Sequence, residues 1–153
     1  MLNQLDTRLA RHGNLGPTAL RIALGAIFLA HAYAKAFVFT FSGTAAFFAA
    51  HGFPGWTAFP VFLAELLGGI ALIAGLRVRL VSIGLIPIML GAIVPHASNG
   101  WMFTNQGGGW EYVAFIIVAL VSQTLLGSGA FALDRALGAA DGRSSALKAA
   151  KAY

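Results

Sequence analysis

No cysteine occurs anywhere in the 153 residues. A disulfide framework, thiol redox chemistry, cysteine-ligated iron–sulfur clusters and cysteine-bound zinc are thereby excluded. Charge is scarce too: Lys and Arg number 10, Asp and Glu only 5, and charged residues make up 10% of the chain, where a soluble domain carries about 25%. Such a chain cannot cover a water-facing surface. Hydrophobic residues make up 58% of it and its mean hydropathy is +0.78, the composition of a protein whose solvent is lipid. The net charge of +5 does not point to nucleic acid, because the basic residues stand in short clusters beside apolar runs.

Four of those runs, at about 18–39, 58–76, 80–98 and 110–130, approach the roughly 20 residues that a helix needs to cross a bilayer. Pro17 sits where a helix start tolerates proline, and "HGFPGW" at 51–56 reads as a turn before the second run. Only "LRVRL" separates runs two and three, which predicts a tight helical hairpin. Pro87 and Pro95 in run three each remove a backbone donor without excluding a membrane helix. The first run, with Arg8 and Arg11 before it and "AHAYA" after "IALGAIFLA", imitates a secretory signal, but its apolar character continues to Phe41 and favours a retained span.

Arg8, Arg11, Arg21, Arg77, Arg79, Arg135, Arg143, Lys148 and Lys151 flank one side of these runs, and Lys35 is the single basic residue toward the other. The positive-inside rule then predicts cytoplasmic termini. The expected architecture is all-α: an integral membrane four-helix bundle over residues 1–135, followed by a basic cytoplasmic tail at 136–153. "SGTAAFFAAH" at 42–51 is too short to span and reads as a short interfacial helix in the first outer loop.

Depth follows from topology. At 1.5 Å per residue, Lys35 lies about 6 Å, Glu65 about 10 Å and His31 about 12 Å below the outer boundary, with His96 and Glu111 near it. These five, from four helices, are the candidate ligand-binding residues, and the inner half is expected to hold none of comparable kind. His31 and Lys35, at i and i+4, should share a helical face. A charge at a span centre costs about 2.5 to 3.5 kcal/mol, so Lys35 should pair with Glu65 or Glu111. Such a pair can also do no more than fix helix register; His96 after Pro95 reads as a boundary residue, and Glu111 suits a helix's first turn through the dipole alone. Trp56, Trp101, Trp110 and Tyr112 form an aromatic belt or line the mouth of a flat aromatic site. Small-residue pairs such as Ala64 with Gly68 and Ala71 with Gly75 suit close helix packing. "GGG" at 107–109 lacks the lysine and preceding strand of a phosphate loop. A metal set of His31, Glu65, His96 and Glu111 has no diagnostic spacing, so no metal site is assigned.

The stretches "LRIALGAIFLAHAYAK", "GFPG", "AELLGGIALIAGLRVRLVSIGLIPIMLGAI", "GGGWEY" and "LLGSGAFALD" together resemble the DoxX family of small four-helix bacterial membrane proteins, over about residues 18–135. Ser128 stands where the family often has proline, and Ala132 where serine is usual. The resemblance implies an inner-membrane protein tied to quinone-linked oxidoreductase chemistry, as in subunits of thiosulfate:quinone oxidoreductase or terminal quinol oxidase. A quinone head needs nearby proton donors and hydrogen bonds, which His31, Lys35 and Glu65 could supply. The chain carries no flavin fingerprint and so lacks an electron source of its own. The expectation is a subunit that binds a quinone-like molecule in the bilayer while a redox partner protein brings the electrons, as monomer or homodimer; whether it is itself catalytic is left open. A small-solute transporter or a membrane-protein assembly factor would use the same pocket.

Overall fold

The computed structural model describes residues 14–135, all of whose regular elements are helical. The expected tail at 136–153, with Arg8 and Arg11, lies outside the described residues. Helix α1 covers Leu15–Tyr33 and runs into a π turn at Ala34–Val38. Helix α2 follows at Thr40–Ala50, a 3-10 turn at Gly55–Thr57 leads into α3 at Ala58–Ala74, and α4 spans Val78–Ile93. A 3-10 segment at Val94–Asn99 and an irregular loop precede α5, Glu111–Leu126.

With their adjoining turns, α1, α3 and α4 form apolar stretches of 24, 20 and 22 residues, each long enough to cross a membrane. Helix α5 is equally apolar but shorter, at 16 residues, or about 24 Å. It ends at Gly127, whose φ of 80° leaves the helical region, so the fourth apolar run is helical only to Leu126.

The outside of the bundle is as apolar as its inside. Leu67, Leu80, Phe115, Val118 and Leu125 are all exposed, an arrangement that water would penalise and lipid tails accept. Inside, Leu24, Phe28, Leu72, Leu85, Ile116 and Leu120 form the centre of one core. Lipid provides no hydrophobic drive between helices, so close packing must hold them. Helices α1 and α3 meet glycine to glycine: a Cβ on Gly69 would stand 2.9 Å from the Gly25 carbonyl oxygen, and one on Gly25 would stand 2.8 Å from the Gly69 oxygen. Neighbouring Gly68 receives the Leu85 side chain of α4. Gly68, read from sequence as packing surface, and its neighbour Gly69 thus hold α3 against α4 and α1.

The α3–α4 turn passes through Gly75 and Arg77, both left-handed. The Arg77 N–H donates to Asp134 Oδ2 at 2.6 Å, and the Ala130 N–H donates to the Asn14 oxygen at 2.9 Å. The start of α1, the hairpin and residues 128–135 therefore lie together at one end, the hairpin end. Helix α2 and the 100–110 loop lie at the opposite, loop end.

Candidate functional site

At the loop end, α1 leaves its regular course. The π turn, in which the Phe39 N–H donates to the Ala34 oxygen at 2.8 Å, is a local widening of the kind that marks functional positions in many helices. Buried Thr44 on α2 donates its hydroxyl proton to the Lys35 oxygen at 3.2 Å, satisfying a carbonyl near the helix end. Thr40, at φ 62°, then turns the chain into α2.

Lys35 Nζ lies 2.7 Å from Glu65 Oε2 and 2.8 Å from Oε1. Lysine and glutamate side chains are 15% and 4% exposed, so the pair is withdrawn from solvent and each charge depends on the other. This is the pairing that the scarcity of charge demanded, with Glu65 rather than Glu111 as partner. His31 does not join it. Its ring stacks on Tyr112 of α5, centroids 6.4 Å apart and planes 20° from parallel, while Lys35 reaches across to α3. The helix keeps α geometry from His31 through Ala34, so the two stand at i and i+4 and differ in the partner each reaches.

His96 and Glu111 organise the loop. His96 Nδ1 lies 3.0 Å from the Gly108 oxygen and 3.2 Å from the Gly107 oxygen. Asn99 Nδ2 donates to the same two carbonyls. Both glycines sit at positive φ, 80° and 74°, which is what "GGG" provides: a backbone that turns consecutive carbonyls toward one imidazole and one amide. Glu111 Oε1 accepts from the Phe103 N–H at 3.0 Å. Beside the loop so held lies an open cavity of about 640 Å³ lined by His96, Trp101, Phe103, Glu111, Tyr112 and Phe115, with Gly108, Gly109 and Val113 completing it.

Of the five residues singled out by sequence, His96 and Glu111 line this cavity, His31 lies against its Tyr112 wall, and Lys35 and Glu65 pair away from it. His31, Glu65, His96 and Glu111 do not converge as a metal set; among the described residues no such cluster exists. Phe103 was not singled out, and its signal was slight: an aromatic in a loop between two tryptophans.

The hairpin end corrects the expectation of an inner half without polar groups. Arg21, read as a flanking basic residue, is 1% exposed inside α1. Its Nε donates to the Ser128 oxygen at 3.0 Å, Nη1 to the oxygens of Leu72, at 2.9 Å, and Ile73, and Nη2 to those of Ala130, at 3.1 Å, and Phe131, at 3.2 Å. The planar guanidinium thus caps the carbonyl end of α3, where the helix dipole favours a cation, and ties down the segment after α5. Thr18 shares its hydroxyl proton between the oxygens of Asn14 and Ala130. Buried Gln123 donates to the Gly127 oxygen at 2.6 Å, whereas its Oε1 and Ser82 Oγ have no partner among the described residues. "LLGSGAFALD" is therefore a strap whose carbonyls receive Arg21, and Ser128 in place of proline is accommodated because its carbonyl, not its side chain, makes the contact.

These features define a helical, multi-pass membrane protein with an internal ion pair and an aromatic cavity at one end. The DoxX family model matches residues 16–98, more than half of the chain, and the protein belongs to that family. It is also 28% identical over 120 residues, 78% of this chain and 85% of the relative, to the protein named "Putative oxidoreductase CatD" of Bacillus subtilis (strain 168). No solved structure matches the chain.

Proposed function

We propose that this DoxX protein is the membrane subunit of a quinone-linked oxidoreductase, and that the cavity beside the 100–110 loop receives the head of a quinone-like molecule. The observation that carries this reading is the cavity itself. Its wall is aromatic, Trp101, Phe103, Tyr112 and Phe115, and its polar side chains are few, His96, Glu111 and the Tyr112 hydroxyl. Flat lipid-soluble rings bind in concave, mostly apolar sites with a small number of convergent polar groups. The exposed Phe115 face of α5 opens on the surface where such a ring would arrive from lipid. His31 braces Tyr112, and the Lys35–Glu65 pair fixes α1 against α3 beside the π turn. The oxidoreductase name of the Bacillus relative supports the chemistry, and electrons come from a partner protein, because the chain holds no cysteine or flavin fingerprint.

The distribution of basic residues supports a hairpin end in the cytoplasm of a bacterial inner membrane and a cavity at the outer face. The helix at Thr40–Ala50, which has no charged residue, suits the outer interface. Cysteines introduced at Thr104 and Leu76 are expected to label from opposite sides of the membrane; labelling from one side contradicts the topology. The functional reading is tested by extracting the protein purified in native lipid and identifying what comes with it. A quinone enriched over the bulk membrane extract is expected. Absence of enrichment, together with no saturable binding of a short-chain quinone or hydroquinone, overturns the reading.

A further inference from the structure

The hairpin end holds a residue whose backbone and side chain are at odds. Phe131 sits at φ 53°, a left-handed conformation that glycine adopts freely and a bulky residue resists. The strap imposes it. The Ala130 and Phe131 oxygens both accept from Arg21 Nη2, and Ala132 packs so closely on the α3–α4 turn that a Cβ on Gly75 would stand 2.6 Å from its Cα. With the backbone held inward on both sides, the Phe131 side chain is left 86% exposed, the highest value among the large hydrophobic residues described. Glycine would meet the same backbone demand without strain. A strained position that nevertheless carries a large side chain points to a use for that side chain.

Charge around the strap is mostly of one sign. Arg79 lies over Gly127, where an added Cβ would stand 3.3 Å from its Nε and Nη2, and Arg135 at the far end of the strap reaches Asn14 Oδ1 at 3.4 Å. Arg77, Arg79 and Arg135 are all exposed. The one carboxylate at this end among the described residues, Asp134, accepts from the Arg77 N–H. Lipid-facing surface adjoins this charge directly: Leu80 follows Arg79, and Leu125 and Leu126 end α5 just before the strap, all three exposed. An arginine so placed lays its stem along apolar surface and presents its guanidinium at headgroup level, where phosphate is the matching partner. Aromatic side chains anchor membrane proteins at both interfaces. Exposed Trp56, Trp101 and Tyr112 belong to the loop end, and Phe131 is the only exposed aromatic of the hairpin end among the described residues.

We infer that the hairpin end binds an anionic phospholipid, with Arg79 on its phosphate, Arg77 and Arg135 adding to the positive field, and Phe131 against the top of its acyl chain. A free phosphate would use the guanidinium and leave the aromatic ring idle, whereas a cation beside an exposed ring suits an amphiphile. The lipid braces the strap that Arg21 draws over the base of the bundle. This site is independent of the cavity at the loop end and of the function proposed for it.

Thermal melts of the intact protein in nanodiscs of phosphatidylcholine, alone and with phosphatidylglycerol added, test this. Wild type is expected to melt several degrees higher with phosphatidylglycerol, a gain that shrinks at high salt. Phe131→Gly should melt at or above wild type in phosphatidylcholine, because the left-handed strain is relieved, and yet lose most of the gain. Phe131→Trp keeps an interfacial ring and should keep the gain; Arg79→Gln should lose most of it. In detergent, added phosphatidylglycerol should raise the melting temperature and inorganic phosphate at equal concentration should not. Equal melting of wild type in the two bilayers overturns the inference and leaves the patch to an acidic protein partner. A gain that Phe131→Gly and Arg79→Gln both retain in full overturns the assignment to these residues. An equal gain from inorganic phosphate overturns the lipid as occupant.

Discussion

The two ends of this bundle carry comparable polarity and treat it in opposite ways. At the hairpin end, the five donors of Arg21 are directed at backbone carbonyls of α3 and of the segment after α5. That cation is part of the architecture. At the loop end, Lys35 and Glu65 satisfy each other, but His96 and Glu111 each hold the loop with one atom and also line the cavity. In a lipid-solvated protein every polar group is costly, so the informative distinction is between groups whose capacity is used internally and groups that retain some.

The largest test of that distinction falls on Arg21. Arg21→Met removes every one of those donors and leaves the oxygens of Leu72, Ile73, Ser128, Ala130 and Phe131 without them. With hydrogen bonds to a charged group contributing about 1.5 to 3 kcal/mol each, the loss should approach the whole stability of the fold, read as failure to yield monodisperse protein in detergent. Arg21→Lys keeps the charge without the planar fork and should fall between Met and wild type. If Arg21→Met melts like wild type, the hairpin end is not held by this residue.

Lys35→Met comes next, at about 3 kcal/mol, because it strands the Glu65 carboxylate in a site where that side chain is 4% exposed. Lys35→Met combined with Glu65→Leu should recover most of the loss. Additive losses in the double-mutant cycle would show that the pair is not coupled.

Gly69→Ala should cost about 1 to 3 kcal/mol through overpacking, since the added carbon would meet the Gly25 oxygen at 2.9 Å. The matching change at Gly84, where a Cβ meets nothing within 4 Å, should be neutral or slightly stabilising in thermal melts. Equal effects at the two positions would remove the close α1–α3 crossing from the account.

Much of this fold was legible in the sequence because lipid imposes simple rules. Apolar run length located α1, α3, α4 and α5, and the shortage of charge required Lys35 to find a carboxylate. Arg21 was misread because a sequence reports its charge and not the geometry that lets a guanidinium cap a neighbouring helix. That His31 reaches α5 while Lys35 reaches α3 is a tertiary fact, and "AKAFV" carries no spacing signal for the π turn that follows. The cavity was only half visible: His96, Glu111 and the aromatic rings were marked individually, but the positive φ angles of Gly107 and Gly108 that shape the loop beside them are tertiary facts. Gln123 sits in an apolar run that reads as pure span, and nothing local to it announces a buried amide.

The most direct measurement of the central claim, that the loop end is built for a ligand and the hairpin end for the fold, is a ligand-induced shift in melting temperature. Wild type and His31→Ala are compared in nanodiscs with and without a saturating short-chain hydroquinone. His31 is exposed and stacks on Tyr112, so its removal should change basal stability by no more than about 0.5 kcal/mol. A ligand at 100 times its Kd stabilises the folded state by about 2.7 kcal/mol; wild type should therefore melt several degrees higher with ligand, and His31→Ala, with Tyr112 unbraced, should show a clearly smaller shift. A wild type whose melting does not respond to the ligand, or a His31→Ala variant that responds as fully as wild type, contradicts the claim.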